Sequence, residues 1–192
     1  RWDFFWLVDP LDGTKEFIRR NGEFTVNIAL INKDTPVAGI IYVPVTKELY
    51  LGIVEKGAYK WQEIQADIDR EIILEEFIAE AEKLPMKKYS DTFTVVASRS
   101  HLNSDTEAFI EQLKTKHKET DTLSRGSSLK ICMVAEGKAD IYPRFAPTME
   151  WDIAAGHAIA AASGCKITQK DRTSPVLFNK PELLNPWFVV ER

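Results

Sequence analysis

Apolar residues run without a break from Phe4 to Val8, the pattern of a strand buried on both faces. The run stops at Asp9-Pro10-Leu11-Asp12-Gly13-Thr14. Lys15 to Arg20 fits a short helix, closed by the turn pair Asn21-Gly22. Three strand patterns follow, over Phe24–Ile31, Val37–Val43 and Glu48–Val54, with Ala58–Trp61 as a shorter fourth. Their connections, Asn32-Lys33-Asp34 and Pro44 to Lys47, are short enough to predict an antiparallel meander.

Beyond it the pattern changes. Ile64, Ile68, Ile72 and Phe77 recur at near-helical spacing among acidic residues, which predicts an amphipathic helix over Gln62–Lys83, ended by Pro85. Strands are then expected at Phe93–Ala97, Glu119–Leu123, Ala139–Tyr142 and Trp187–Val190. Helices alternate with them at Ser104–Lys116, with Ser104 or Asp105 near its start, at Ser127–Glu136, stopped by Gly137, and at Trp151–Ser163, closed by Gly164. The order predicts an α/β (α+β) fold of layered sheets and helices. It divides into a sheet part over residues 1–92 and an alternating part over 93–192.

Composition narrows the class. The 192 residues carry 25 Lys and Arg against 29 Asp and Glu, a formal net charge of −4. That balance disfavours a coat for polymeric nucleic acid but leaves room for a small anion held by a few local cations. Cys132 and Cys165 lie among small apolar neighbours and read as buried thiols of a reducing compartment. No stretch approaches the ~18 to 20 apolar residues of a membrane span, and no secretory signal is visible. The first residue is Arg1, not Met, and a strand is already under way, so an upstream segment is expected.

Two segments carry candidate chemistry. In Asp9-Pro10-Leu11-Asp12-Gly13-Thr14, two carboxylates three residues apart on a turn can converge on one hard cation, with the Leu11 carbonyl facing the same space. Gly13 permits close backbone approach, and Thr14 opens a helix whose free N–H groups suit an anion. A solvated turn with a helix cap is the plainer reading of that segment alone. In Glu150-Trp151-Asp152-Ile153-Ala154-Ala155-Gly156, an Asp opens a helix lined by small residues. An ordinary cap is again the plain reading, but the small residues would let the helix bring Asp152 to the first pair. No P-loop lysine motif or Cys-based phosphatase loop is present.

Together the segments resemble the two signatures of the inositol monophosphatase superfamily of magnesium-dependent, lithium-sensitive phosphatases. Trp6-Leu7-Val8-Asp9-Pro10-Leu11-Asp12-Gly13-Thr14-Lys15-Glu16-Phe17 and the stretch from Gly126-Ser127-Ser128-Leu129-Lys130 to Tyr142-Pro143-Arg144 resemble its 3′(2′),5′-bisphosphate nucleotidase branch. The resemblance implies a layered αβαβα sandwich and two or three Mg²⁺ ions. Asp9 would bridge two of them, Leu11 would lend a carbonyl, and Asp12 and Asp152 would bind the other. Gly13 and Thr14 would hold the scissile phosphate, Thr14 also orienting the attacking water. His101, Ser127, Lys130 and Arg144 would contact the nucleotide and its second phosphate. The implied substrate is 3′-phosphoadenosine 5′-phosphate, cleaved to AMP and phosphate in sulfur assimilation. The implied place is the cytoplasm, or the periphery of the inner membrane, with no stable protein partner.

The family also draws a Glu, and usually an Asp, from a segment upstream of the first motif. These 192 residues contain no counterpart, nor the family's N-terminal helices. The reading therefore expects slow turnover and an exposed apolar sheet face around Phe4-Phe5-Trp6. Two alternatives stay open: an inositol monophosphatase or sugar-bisphosphate phosphatase sharing the metal site, and a non-catalytic nucleotide-binding fragment.

Overall fold

The computed structural model describes residues 2–64, 71–86, 91–98 and 103–192. Sheet one runs in chain order: β1 (Phe4–Asp12), β2 (Thr25–Asn32), β3 (Thr35–Val43), β4 (Glu48–Ile53), β5 (Gly57–Trp61) and β6 (Glu82–Leu84), all antiparallel. α1 (Thr14–Arg19) links β1 to β2, and α2 (Leu74–Ala79) precedes β6. Sheet two comprises β7 (Phe93–Ser98), β8 (Thr120–Arg125), β9 (Ile141–Arg144), β10 (Lys166–Gln169) and β11 (Phe188–Glu191), in the order β10-β11-β9-β7-β8. β7 runs parallel to β8 and β9, and the remaining pairs are antiparallel.

Three helices complete the layers: α3 (Ser104–Lys116), α4 (Leu129–Glu136) and α5 (Glu150–Ala162). α5 lies on β2, β3 and β4, and α4 packs on both α5 and sheet two. The main core is therefore the layer between the sheets, where Ala29, Ile31 and Ile41 meet Ile131, Ala155 and Ile159. α3 covers the far side of sheet two through Ile110 and Leu113. The close seat of α5 depends on Gly39 and Gly52. A Cβ on Gly39 would stand 2.3 Å from the Ala155 carbonyl oxygen, and one on Gly52 would stand 2.4 Å from Ile159 Cα. The small residues of α5 and these two glycines let helix and sheet backbones touch, which sets how far Asp152 can reach.

Several expectations change. β1 is not buried on both faces: Phe5 and Leu7 pack on the core, whereas Phe4, Trp6 and Val8 are 60%, 64% and 48% exposed. β1 is an edge strand, and its outward face carries the exposed Phe4, Trp6 and Val8. The strand does not stop at Asp9 but continues to Asp12, with its register against β2 broken between those residues. Of the helix expected over Gln62–Lys83, only Leu74–Ala79 forms among the described residues, and Ile68 lies outside them. The β-branched pair Ile72-Ile73 favours extended backbone, and Glu82–Leu84 pairs instead with β5. α3 begins at Ser104 as expected, and Asn103 caps it, its Oδ1 accepting from Thr106 N at 3.0 Å. Arg144 ends β9 rather than following it, and β10 was not anticipated.

His157 on α5 lies edge-on to Phe178 with Nδ1 buried and unpartnered, and burial pulls its pKa down to about 4. The unfolded chain takes up this proton near pH 6.5, the folded chain only near 4, so stability falls as pH drops between those values. The loss amounts to at most about 3 kcal/mol. Urea midpoints at pH 7 and pH 4.5 should converge in His157→Gln relative to the parent chain. An unchanged gap would show that other groups carry the acid sensitivity.

Candidate active site

The broken register at the end of β1 turns Asp9 and Asp12 toward the first turn of α5. Carboxylate oxygens of Asp9, Asp12 and Asp152 all lie within 4.8 Å of one another. The donors are hard oxygens, two from neighbouring β1 residues and one from Asp152 far along the chain, a set suited to a divalent cation such as magnesium or manganese rather than a soft metal. Asp152 is the third residue of α5. Its Oδ2 accepts from Met149 N at 2.7 Å, which fixes the carboxylate's orientation. Asp9 Oδ1 accepts from Leu11 N at 3.0 Å, so Leu11 sits between the two β1 carboxylates.

Asp12 has the most elaborate support. Its Oδ2 accepts from Ser128 N at 2.7 Å, Asn27 Nδ2 at 3.2 Å and Thr25 Oγ1 at 3.4 Å. Ser128 Oγ in turn bonds Thr25 Oγ1 at 2.8 Å and Asn27 Oδ1 at 2.9 Å. Thr25, Asn27 and Ser128 escaped the sequence reading. The signal was present: Thr25 and Asn27 occupy two successive inward positions of β2 that an ordinary strand would fill with apolar residues. Burial raises the Asp12 pKa against the pull of Lys130 and Asn27. Burial, aided by Asp12 and Asp9, pushes Asp152 up to about 6. A cation would relieve both.

Beside the cluster opens a cavity of about 270 Å³, lined by Asp12, Gly13, Thr14, Ser127, Lys130, Tyr142, Arg144 and Asp152 among others. Gly13 has φ 88°, and a Cβ there would lie 3.2 Å from Ser127 Cβ, so glycine permits both the left-handed turn and the approach of the two loops. Lys130 is buried on α4. Its ammonium donates to the carbonyls of Arg125 and Ser127 and lies 5.5 Å from the centre of the Tyr142 ring. Desolvation lowers its pKa to about 8. Arg144 Nη2 donates to Pro147 O at 3.1 Å, while Arg144 Nε and Ser127 Oγ are buried with no hydrogen-bond partner. Unsatisfied buried donors in a cavity wall are what an incoming polyanion would satisfy. The fold thus gathers every candidate site residue except His101, which lies outside the described residues.

Two sheets enclosing a helical layer, with an acidic cluster where β1 meets α5, define a class: the chain belongs to the inositol monophosphatase family, whose model matches residues 1–188. Its relatives sharpen this. The 3′(2′),5′-bisphosphate nucleotidase CysQ of Salmonella typhimurium is 44% identical over 189 residues, 98% of this chain and 68% of that protein. The crystal structure of CysQ from Bacteroides thetaiotaomicron, a bacterial member of the inositol monophosphatase family, is 57% identical with a TM-score of 0.95. That match covers 99% of this chain and 70% of the other. Mycobacterium tuberculosis SuhB, at 22% identity and a TM-score of 0.68 over 98% of this chain and 66% of that one, shares the fold.

Proposed function

We propose that this chain is a Mg²⁺-dependent phosphatase that removes the 3′-phosphate of 3′-phosphoadenosine 5′-phosphate, giving AMP and inorganic phosphate. The observation that carries the reading is a cavity that opens beside the three-carboxylate cluster, with Asp12 and Asp152 in its wall opposite unpartnered Ser127 Oγ and Arg144 Nε. The relatives named as 3′(2′),5′-bisphosphate nucleotidases support the substrate class.

Asp9, Asp12 and Asp152, with the Leu11 carbonyl, are the residues that would hold two or three Mg²⁺ ions. Bound there, such ions would polarise the phosphoryl oxygens and make a water acidic enough to attack at neutral pH. Thr14 orients that water through its hydroxyl. Gly13, with Thr14, receives the scissile phosphate, and the Ser127 hydroxyl donates toward the nucleotide. Lys130 and Arg144 take the second phosphate, with His101 as a further contact. The anion raises the Lys130 pKa from about 8, keeping the ammonium charged. Two adjacent cations favour a doubly phosphorylated substrate over inositol 1-phosphate. Buried free thiols at Cys132 and Cys165 fit the cytoplasm; among the described residues no helix is long and apolar enough to cross a membrane.

Phosphate release from 3′-phosphoadenosine 5′-phosphate and from inositol 1-phosphate, beside a calorimetric Mg²⁺ titration, tests the reading. Release should depend on Mg²⁺ and favour the bisphosphate; metal or nucleotide binding without release would make the chain a binding module. Arg144→Ala should lower kcat/KM for the bisphosphate by about 30-fold, the scale of a charge-assisted hydrogen bond, and that for a monophosphate far less. Equal losses would place Arg144 at the reaction centre or in the fold.

A further inference from the structure

We propose that Glu23 is a positioning residue that fastens the Gly126-Ser127-Ser128 turn over the phosphate site and so joins the two halves of the pocket. The inference rests on the phosphatase reading above. Glu23 lies in the link between α1 and β2, on the sheet-one side, and its side chain is only 17% exposed. Its Oε2 accepts from Gly126 N at 2.8 Å, and its Oε1 lies 3.8 Å from Arg125 Nη1. The same residue's carbonyl oxygen lies 3.4 Å from where a Cβ on Gly13 would stand. One residue therefore abuts the Asp9–Thr14 segment with its backbone and holds the sheet-two turn with its carboxylate.

That turn needs holding. Ser127 has φ 42°, an uncommon and costly backbone for a residue with a side chain. Gly126 is wedged so tightly that a Cβ there would lie 2.4 Å from Glu16 Cγ and 3.1 Å from Glu23 Cβ. What the turn presents is the working side of the pocket: the Ser128 N–H on Asp12 Oδ2, the Ser127 hydroxyl, and the carbonyls that tether Lys130. A carboxylate accepting a part-buried N–H makes one of the stronger hydrogen bonds available for the task.

The test compares Glu23→Ala with Glu23→Gln, which keeps an oxygen acceptor for Gly126 but removes the charge. Three quantities are read: hydrogen exchange at the Gly126 and Ser128 amides, the thermal midpoint, and kcat and KM with 3′-phosphoadenosine 5′-phosphate at saturating Mg²⁺. Glu23→Ala should speed exchange at both amides, lower kcat by about 30-fold, the scale of a slight misplacement of reacting groups, and lower the midpoint by a few degrees, the cost of an unpaired part-buried amide. Glu23→Gln should recover kcat to within about threefold, since a neutral acceptor retains much of the bond. Parental kcat and exchange in Glu23→Ala would overturn the proposal, as would equal losses in both variants. If the parent chain releases no phosphate, the reaction reading fails, while Ser128 exchange still decides whether Glu23 holds the turn.

Discussion

Asp9→Asn should lower Mg²⁺-dependent phosphate release by about a thousandfold or more, equivalent to roughly 4 kcal/mol of transition-state stabilisation. The substitution is nearly isosteric, and the Asn Oδ1 can still accept from Leu11 N, so the β1 backbone has no reason to move. What disappears is one negative charge from a cluster whose oxygens lie within 4.8 Å of one another. The calorimetric Mg²⁺ affinity should fall with it. Asp12→Asn makes a poorer probe, because its Oδ2 also anchors Ser128, Asn27 and Thr25, and losses there would mix geometry with charge. Parental turnover and metal affinity in Asp9→Asn would remove Asp9 from the metal site.

Gly39→Ala should be among the most destabilising single-methyl changes in the chain. The new Cβ would meet the Ala155 carbonyl oxygen at 2.3 Å, with Ala155 C and Cα each at 2.9 Å. These are backbone atoms in the middle of α5, so no rotamer change relieves the clash. The helix must lift from β3, at a cost of about 3 kcal/mol, which lowers the melting temperature by roughly 10 °C at this chain length. Lifting α5 also withdraws Asp152 from Asp9 and Asp12, so Mg²⁺ affinity should drop even though Gly39 is not a ligand. A parental melting temperature would show that β3 and α5 have more freedom than their contact suggests.

These two positions mark what was legible in the sequence. Asp9, Asp12 and Asp152 stood out through the resemblance of both segments to the family signatures, since each segment alone reads more plainly as a turn or a helix cap. The meander and α3 followed from hydrophobic periodicity and turn residues, which are also local. Gly39 gave no sign of its role, since nothing near it in sequence shows that Ala155 will lie against it. Ser128 and Asp12, separated by 116 positions, form their bond only after both sheets close on the helical layer. The Gln62–Lys83 segment misled for the complementary reason: its spacing suits a helix, but an open edge of β5 offered Glu82–Leu84 a better partner. The extension of β1 to Asp12 was hidden by Pro10, which reads as a strand terminator but is tolerated on an outermost strand.

The raised pKa values of Asp12 and Asp152 have a meaning for the history of the fold as well as for its chemistry. A protein under selection for stability alone would not set two part-buried carboxylates with raised pKa values, Asp12 and Asp152, side by side where sheet one meets α5. Keeping that pair is a standing concession of folding free energy to function. In such a chain, substitutions that strengthen the metal-free fold will tend to accumulate at the very positions where activity is lost.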